Sequence, residues 1–261
     1  MWRLRAPRQF LITMERSESG MKGETRRIIT RHEVRSPKLQ EPLKLAVAPD
    51  LHSGDWENML EEILTCDALL LPGDLLDRHR RNNERAFRFL KEVPELLPVY
   101  YSVGNHEVKY RDQDAWRKAV RDSRAILLED RSVRFRGISI GGLSSTLAPP
   151  PNMNFLKRFQ KQKGFRLLMC HQPEVYRDYV QGMDFDFTVC GHAHGGQIQL
   201  FGRGLYAPCQ GLFPKLTHGL HDGGRMMISR GMTNSAMPRI PRIGNPCELI
   251  VLSLVPQRDE M

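Results

Sequence analysis

The chain has 261 residues, of which 40% are hydrophobic and 26% charged, a balance that is ordinary for a soluble globular fold and excludes a low-complexity chain. Its five cysteines include no C-x-x-C pair, which argues against a secreted disulfide scaffold and favours a reducing compartment. The net charge of +9 favours an anionic partner, whether a phosphorylated metabolite, a nucleic acid or an anionic membrane surface.

Residues 1–24 are predicted to form a disordered tail, and residues 25–261 are predicted to form a single domain. The apolar run Phe10–Met14 is too short for the core of a signal peptide. No segment of the chain reaches the apolar length of a membrane span. Met21 is a candidate alternative start. We therefore expect a cytoplasmic protein, and peripheral contact with a membrane stays open.

The first half of the chain alternates strand-like and helix-like segments. Thr25–Val34 shows a rough polar–apolar alternation and is predicted as an edge strand. Apolar residues at helical spacing predict helices over Trp56–Leu64 and Glu84–Val93. Three short apolar runs predict buried strands, over Leu43–Ala48, Ala68–Leu71 and Val99–Val103.

The second half is richer in strands. Asn152–Lys163 is predicted as a surface helix. Eight short strands are predicted, over Ala125–Leu128, Ser132–Phe135, Ile138–Ile140, Phe165–Met169, Phe185–Val189, Ile198–Leu200, Met226–Ser229 and Leu249–Leu254. A βαβ half followed by a strand-rich half predicts an α/β (α+β) fold, in which two β-sheets pack as a sandwich flanked by helices.

Polar residues follow the C-terminal ends of five predicted strands, the edge at which α/β folds bind ligands. They are Asp50, His52, Asp74, Asn105, His106, His171, His192 and His194. Carboxylate, amide and imidazole donors suit Mn²⁺, Fe²⁺ or Zn²⁺ without any thiolate. Most of these motifs, taken singly, have an ordinary explanation as a surface turn, a helix cap or a hydrogen-bonded loop. Five of them in this order, each after a predicted strand, indicate one metal site.

The spacing of these residues has a physical meaning. Residues i and i+2 of an extended segment point the same way, so Asp50 and His52 can share one metal, and His192 and His194 can face one cavity. Asp74 could bridge two metals through its two carboxylate oxygens. Two ions about 3.5–4 Å apart can activate a water and clamp a phosphoryl group. The chain has neither a G-x-S-x-G elbow nor a Walker loop, which argues against serine-hydrolase and P-loop chemistry.

The series D-x-H, G-D, G-N-H-E, H and G-H-x-H, from Leu43 to about Leu200, resembles the calcineurin-like metallophosphoesterase superfamily. The resemblance implies a β-sandwich with a dinuclear metal site at the strand ends, with Mn²⁺ as the expected metal and Fe or Zn as alternatives. It implies that one ion is held by Asp50, His52, Asp74 and His194, and the other by Asp74, Asn105, His171 and His192. It also implies that a hydroxide bridging the ions attacks phosphorus. His106 would then contact the scissile phosphate and protonate the leaving oxygen or stabilise its charge.

Two departures from the family pattern leave the ligand residues in place. Pro49 stands where many members have Ser, and Cys170–Pro173 contains the expected histidine without the common H-N-P sequence. A finer resemblance lies in Gly195–Gln197, Gln210–Phe213 and Ser229–Gly231. These segments are similar to a branch of small prokaryotic phosphoesterases that includes membrane-peripheral lipid-precursor hydrolases.

Two features near the expected site have alternative explanations. The segment Phe201–Asp222, with Lys215, His218 and His221, either closes over the site and shapes its specificity or is an ordinary surface loop. Arg78 either contacts phosphate as a bidentate donor or is a solvated residue at the start of a helix.

The expected function is hydrolysis of a phosphodiester or a phosphomonoester, with a phosphorylated small molecule or a lipid-like molecule as substrate. A nuclease of the same superfamily is the alternative that the charge favours, although the chain shows no basic stripe interleaved with aromatic residues. A non-catalytic scaffold ranks last, because every expected ligand type is present. The sequence does not predict the oligomeric state.

Overall fold

The computed structural model describes residues 27–146, 149–235 and 240–257, together with the backbone of residues 12–19. Seven strands form the first sheet: β1 Ile12–Ser19, β2 Arg27–Ser36, β3 Leu43–Val47, β4 Ala68–Pro72, β5 Val99–Ser102, β6 Ile126–Leu127 and β17 Cys247–Pro256. Their spatial order is β1-β2-β17-β3-β4-β5-β6. From β3 to β6 the strands are parallel, whereas β17 is antiparallel to β3.

Six strands form the second sheet: β7 Arg131–Phe135, β8 Ile138–Leu143, β9 Phe165–Cys170, β10 Phe187–Cys190, β15 Gly219–His221 and β16 Met226–Ile228. Their order is β15-β16-β10-β9-β8-β7. The four central strands are parallel, and the two edge strands are antiparallel to their neighbours. A pair of two-stranded hairpins lies between β10 and β15 in the chain. Their strands are β11 Gln199–Leu200, β12 Arg203–Gly204, β13 Tyr206–Ala207 and β14 Gly211–Leu212.

Six short helices connect these strands: α1 Leu60–Leu64, α2 Glu84–Glu92, α3 Asn105–Val108, α4 Gln113–Asp122, α5 Met153–Phe159 and α6 Pro173–Val175. A 3₁₀ turn, Glu57–Met59, leads into α1, and a π-helical turn, Tyr176–Val180, follows α6. No helix in the described part of the chain is both long enough and apolar enough to cross a bilayer.

Successive side chains of a strand face opposite sides of its sheet, and β4 shows how this builds the layers. Leu70 belongs to the core between the two sheets, where it joins Leu167 of the second sheet. Leu71 belongs to a core on the outer face of the first sheet, with Trp116 of α4. A third core covers the outer face of the second sheet and includes Phe155 of α5. The layers therefore run helix, sheet, sheet, helix.

The predicted fold class is confirmed, since two multi-stranded sheets pack together and helices cover their outer faces. Thr25–Val34 was expected at a sheet edge, but β2 lies inside the first sheet, because β1 and β17 pair with its two sides. β1 falls within the tail expected over residues 1–24, and the rest of that tail lies outside the described residues. The division into a tail and one domain stays a prediction.

The edge formed by the carboxyl ends of the parallel strands brings the two sheets together. β3, β4 and β5 of the first sheet end there, as do β9 and β10 of the second. Backbone hydrogen bonds join the loops that follow: Asp50 N–H donates to Gly73 O over 3.1 Å, and Gly191 N–H donates to His171 O over 2.9 Å. These bonds join the loop after β3 to the loop after β4, and the loop after β9 to the loop after β10.

Candidate metal centre

Three of the expected side chains meet at the junction of the β3 and β10 loops. His52 Nε2 lies 3.1 Å from His194 Nε2 and 3.9 Å from Asp50 Oδ1. His194 Nε2 lies 3.8 Å from the same Asp50 oxygen. All three side chains are buried, and one ligand atom from each can share a metal ion.

A second group lies beside the first, at the ends of β4, β5, β9 and β10. His171 Nε2 lies 3.1 Å from Asp74 Oδ2 and 3.1 Å from Asn105 Oδ1. His192 completes the group, with a ligand atom within 4.8 Å of those of Asp74 and His171. The loops thus bring together an amide oxygen, a carboxylate and two imidazoles.

Asp74 lies between the two groups. Its Oδ2 is 3.1 Å from His171 Nε2 in the second group and 4.0 Å from His52 Nε2 in the first. The same oxygen is 4.0 Å from His106 Nε2. The structure therefore brings together all eight residues expected from the sequence, with one carboxylate at the centre.

The ligand loops hold an unusual backbone conformation. Asp50, His52, Asp74, His192 and His194 all have positive φ, with values between 46° and 68°. Each such residue costs on the order of 1–3 kcal/mol and persists only where its surroundings fix it, although Asp and His tolerate this region better than most residues. The left-handed turns aim the side chains into one space. This is the kind of local strain that clusters at functional sites.

Burial and the central carboxylates set the charge of the imidazoles. Burial opposes the charged form of His171, but the neighbouring Asp74 carboxylate outweighs this effect and raises the pKa of His171 to about 10. Burial lowers the pKa of His52 and of His192 to about 3, so both are neutral at pH 7. Burial raises the pKa of Asp50 to about 7. Without an ion, the site thus keeps a protonated His171 beside the central carboxylate.

The residues fit a pair of divalent ions. His192 Nε2 is buried and has no hydrogen-bond partner among the described residues, so it has a lone pair that a metal ion can satisfy. The second ring nitrogen of His171, Nδ1, lies 2.7 Å from Pro72 O. Donation from Nδ1–H to that carbonyl leaves Nε2 as the ligand atom, as is usual for metal-binding histidines. Mixed oxygen and nitrogen donors suit Mn²⁺, Fe²⁺ or Zn²⁺.

The sequence model of the calcineurin-like phosphoesterase family matches residues 43–196, a range that includes every residue of the two groups. The chain belongs to the calcineurin-like phosphoesterase family. Membership of this family indicates, in general terms, a metal-dependent phosphoesterase. The two groups of His and Asp side chains are of the kind that binds divalent metal ions.

Curated relatives agree with the family assignment. The uncharacterized metallophosphoesterase Cj0846 of Campylobacter jejuni is 26% identical over 238 residues, which cover 85% of this chain and 62% of that protein. The uncharacterized metallophosphoesterase YkoQ of Bacillus subtilis is 29% identical over 149 residues, which cover 51% of each protein. The uncharacterized protein YpbG of Bacillus subtilis is 22% identical over 230 residues, which cover 83% of each. The chain thus spans less than two thirds of the length of the first two relatives.

Glu107 supports the loops that carry the two groups, although the sequence analysis gave it no role. Its carboxylate accepts hydrogen bonds from the backbone N–H groups of Asp74, Leu76 and Gly104, at 2.8 to 2.9 Å. These bonds fix the loop after β4 against the loop after β5. The signal available in the sequence was the acidic residue that closes the G-N-H-E motif.

Two further contacts were not predicted. His106 Nδ1 lies 3.3 Å from Asp77 Oδ1 and 3.1 Å from Arg78 N. In the first contact Nδ1 carries a proton and donates it to Asp77, whereas in the second Nδ1 is unprotonated and accepts from Arg78 N–H. We favour the first, because a buried carboxylate forms the stronger, charge-assisted bond. On the other side of the site, Arg242 Nη2 lies 3.1 Å from His194 Nδ1. No local pattern in the sequence marks either Asp77 or Arg242 as part of the site.

A cavity of about 470 Å³ opens over the metal groups. Arg78, His79 and Lys109 line one part of its wall, and Tyr206 and Cys209 of the β13–β14 hairpin line another. The segment Phe201–Asp222 therefore reaches the site, but through this hairpin. The described lining does not include Lys215, His218 or His221, the residues that the sequence had singled out.

Substitution of Gly104 by alanine should remove bound metal. A Cβ there would overlap Asp74 Oδ1 and the Asp74 backbone nitrogen, so the central carboxylate would have to move. We expect elemental analysis of purified Gly104→Ala to show little metal, while circular dichroism still shows a folded chain. The matched control is Gly182→Ala, where φ is +87° but no atom lies within 4 Å. It should lose about 1 kcal/mol of stability and keep its metal. Full metal content in Gly104→Ala would contradict the placement of Asp74.

Metal uptake should release protons. Since the pKa of His171 is about 10 and that of Asp50 about 7, binding at pH 8 should displace about one proton from these two residues, in addition to any proton that metal-bound water loses. His52 and His192, with pKa values of about 3, should contribute none. Apparent affinity should therefore rise with pH. Calorimetric titration with Mn²⁺ in buffers of different ionisation enthalpy measures this release. A titration at pH 8 without proton release would show that His171 is not a ligand.

Proposed function

We propose that this protein hydrolyses a phosphodiester or a phosphomonoester with two divalent metal ions, most readily Mn²⁺, with Fe or Zn as alternatives. The observation that carries the proposal is the position of Asp74 between two groups of metal-type donors. A single bridging carboxylate flanked by two sets of ligands is the arrangement expected of a two-metal site.

The two groups define which residues would hold each ion. One ion takes Asp50, His52, Asp74 and His194, and the other takes Asp74, Asn105, His171 and His192. When bound, the ions supply Lewis acidity, which lowers the pKa of water from 15.7 to about 7 and offsets the negative charge of a phosphoryl group. No side chain of the protein then has to act as the nucleophile.

His106 is the residue in this site that can hand a proton to the leaving group. Its Nε2 faces the centre, 4.0 Å from Asp74 Oδ2, and its Nδ1 lies 3.3 Å from Asp77. Burial opposes the charged imidazolium, but Asp74 and Asp77 outweigh it and raise the pKa of His106. These two carboxylates thus favour the imidazolium, in which Asp77 would hold Nδ1–H and Nε2–H would be directed to the departing oxygen.

The size and charge of the cavity favour one of two substrates: a phosphorylated small molecule, or a lipid-like molecule whose head group enters the cavity. Its volume of about 470 Å³ lies in the range of small-ligand sites. Arg78 and Lys109 place positive charge on its wall, and among the described residues neither has a carboxylate within ion-pair distance. These cations favour an anionic substrate. The nuclease alternative has the net charge of +9 in its favour but no feature of the cavity itself.

The deciding experiment is hydrolysis of bis-p-nitrophenyl phosphate and p-nitrophenyl phosphate by metal-stripped protein resupplied with Mn²⁺. We expect metal-dependent turnover that Asp74→Asn abolishes together with metal binding. His106→Gln should keep its metal and lose about 100-fold or more of the rate, as expected for removal of a general acid. The ratio of diester to monoester turnover then assigns the substrate class.

The matched control for the histidine variant is His218→Gln, which changes a histidine outside the cavity lining. It should retain both metal and turnover. Failure to bind any metal would overturn the proposal. If the protein binds two ions but hydrolyses neither ester, whichever metal is resupplied, the result would favour the scaffold alternative.

Lys109 should contribute to substrate capture. Its ammonium is exposed at the cavity wall, so Lys109→Ala should raise KM for p-nitrophenyl phosphate about three- to five-fold and leave kcat unchanged, as an exposed ion pair is worth up to about 1 kcal/mol. Steady-state kinetics at low salt measures this effect. Lys118→Ala, an exposed lysine of α4 outside the cavity lining, is the control and should leave KM unchanged. If both substitutions raised KM equally, Lys109 would act only through the net charge of the protein and not through its position at the cavity.

A further inference from the structure

The two hairpins β11–β12 and β13–β14, here called the hairpin pair, carry a concentration of exposed apolar side chains. Eight large hydrophobic side chains are exposed in the described part of the chain, and five of them lie on or against this pair. They are Phe201, which is fully exposed, Leu200 (51% exposed), Leu212 (73%), Phe213 (75%) and Ile243 (53%). Scattered exposed hydrophobic residues are normal on a protein surface, whereas a local concentration of this kind marks an interaction site.

Backbone contacts join the segments that carry these side chains. Ile243 forms a β-bridge with Ile198, next to the start of β11. Leu205 N–H donates to Ile198 O over 2.8 Å, and Phe213 N–H donates to Leu205 O over 2.9 Å. Backbone hydrogen bonds therefore join the two hairpins and the Ile243 segment, which together carry the five exposed side chains.

The charge of the same segment is entirely positive. Residues 187–221 contain no aspartate or glutamate, and Arg203 and Lys215 are exposed within them. Arg203 pairs with Leu200 across the β11–β12 hairpin, so a cation lies beside the apolar tip. Apolar side chains flanked by cations match the surface of a bilayer that contains anionic lipids.

We propose that the hairpin pair docks this protein on an anionic lipid bilayer, with Phe201 and Phe213 as the inserting side chains and Arg203 and Lys215 against the lipid head groups. A second copy of the chain fits this surface less well. Pairing two copies through it would bring Arg203 and Lys215 of each against the same cations of the other. Phe201 also stands at the narrow tip of the β11–β12 hairpin, a shape that suits insertion into a bilayer better than a flat interface between proteins.

Docking in this way has a consequence for the site, which rests on the proposed function. The β13–β14 hairpin contributes Tyr206 and Cys209 to the cavity wall and carries Leu212 on its other strand. Insertion of the hairpin pair would therefore bring the cavity to the level of the lipid head groups. The substrate class that such a site selects is an amphiphile whose phosphoester head group lies at the bilayer surface.

The test is flotation of the full chain with vesicles of phosphatidylcholine alone or with about one third phosphatidylglycerol. We expect binding to the anionic vesicles that weakens at high salt. Phe201→Ser with Phe213→Ser should reduce partitioning at least about ten-fold, because two apolar side chains no longer leave water. Arg203→Glu with Lys215→Glu should abolish the preference for anionic vesicles. The matched control, Leu96→Ser with Ile126→Ser, removes exposed apolar residues elsewhere and should change nothing.

The double serine variant should still hydrolyse bis-p-nitrophenyl phosphate at the parent rate, which shows that it is folded. Vesicle binding is measured without turnover, so an inactive protein that floats would contradict the proposed function and leave the docking proposal standing. No flotation at low salt, or equal flotation of the parent and the double serine variant, would overturn docking. A dimer in light scattering that the serine variant dissolves would also overturn it and assign the surface to a second copy.

Discussion

The whole site depends on one buried carboxylate, that of Asp74. It is 1% exposed, and a carboxylate so far from water is costly unless charged partners surround it. Burial alone would raise its pKa, but His171 and His106 outweigh burial and hold the pKa of Asp74 well below the ordinary value. Its Oδ1 accepts a hydrogen bond from His106 N–H over 2.8 Å, while Oδ2 faces the imidazoles. Each oxygen thus has its own task, and neither can be lost without disturbing both ligand groups.

The four residues of G-N-H-E surround this carboxylate, and each acts differently. Gly104 lets the backbone pass close to Asp74, Asn105 presents an amide oxygen to His171, and His106 faces the cavity. Glu107 turns away from the ligand groups and accepts three backbone N–H groups. Burial, and then the nearby Asp74 charge, raise the pKa of Glu107, while the hydrogen bonds from the Leu76 and Asp74 backbone oppose this rise and help to accommodate a second carboxylate there. In the proposed mechanism, one short motif therefore supplies clearance for Asp74, a metal ligand, a proton donor and an acceptor of backbone hydrogen bonds.

The ligand residues could be predicted from the sequence because each follows an apolar strand, and strand ends of parallel sheets share one edge. The partners of those residues could not. Asp77 lies 29 positions before His106 in the sequence, and Arg242 lies 48 positions after His194, so only the folded chain brings each pair together. Helix α4 was missed because its buried face consists of only Trp116 and Val120. In the hairpin pair, β11 lies within the strand predicted over Ile198–Leu200. The other three strands lie in Phe201–Asp222, which was expected as a loop, since strands of two residues carry no periodic pattern.

The site also joins the two halves of the fold. The first sheet supplies Asp50, Asp74 and Asn105, and the second supplies His171 and His192. Each ligand group contains residues from both sheets, so neither group exists until the sheets have packed. A ligand that binds only the folded state adds its binding free energy to folding stability. Metal bound here would therefore stabilise the contact between the sheets themselves. The hairpin pair lies outside this junction, so its side chains can change, and with them the choice of substrate, without loosening the centre.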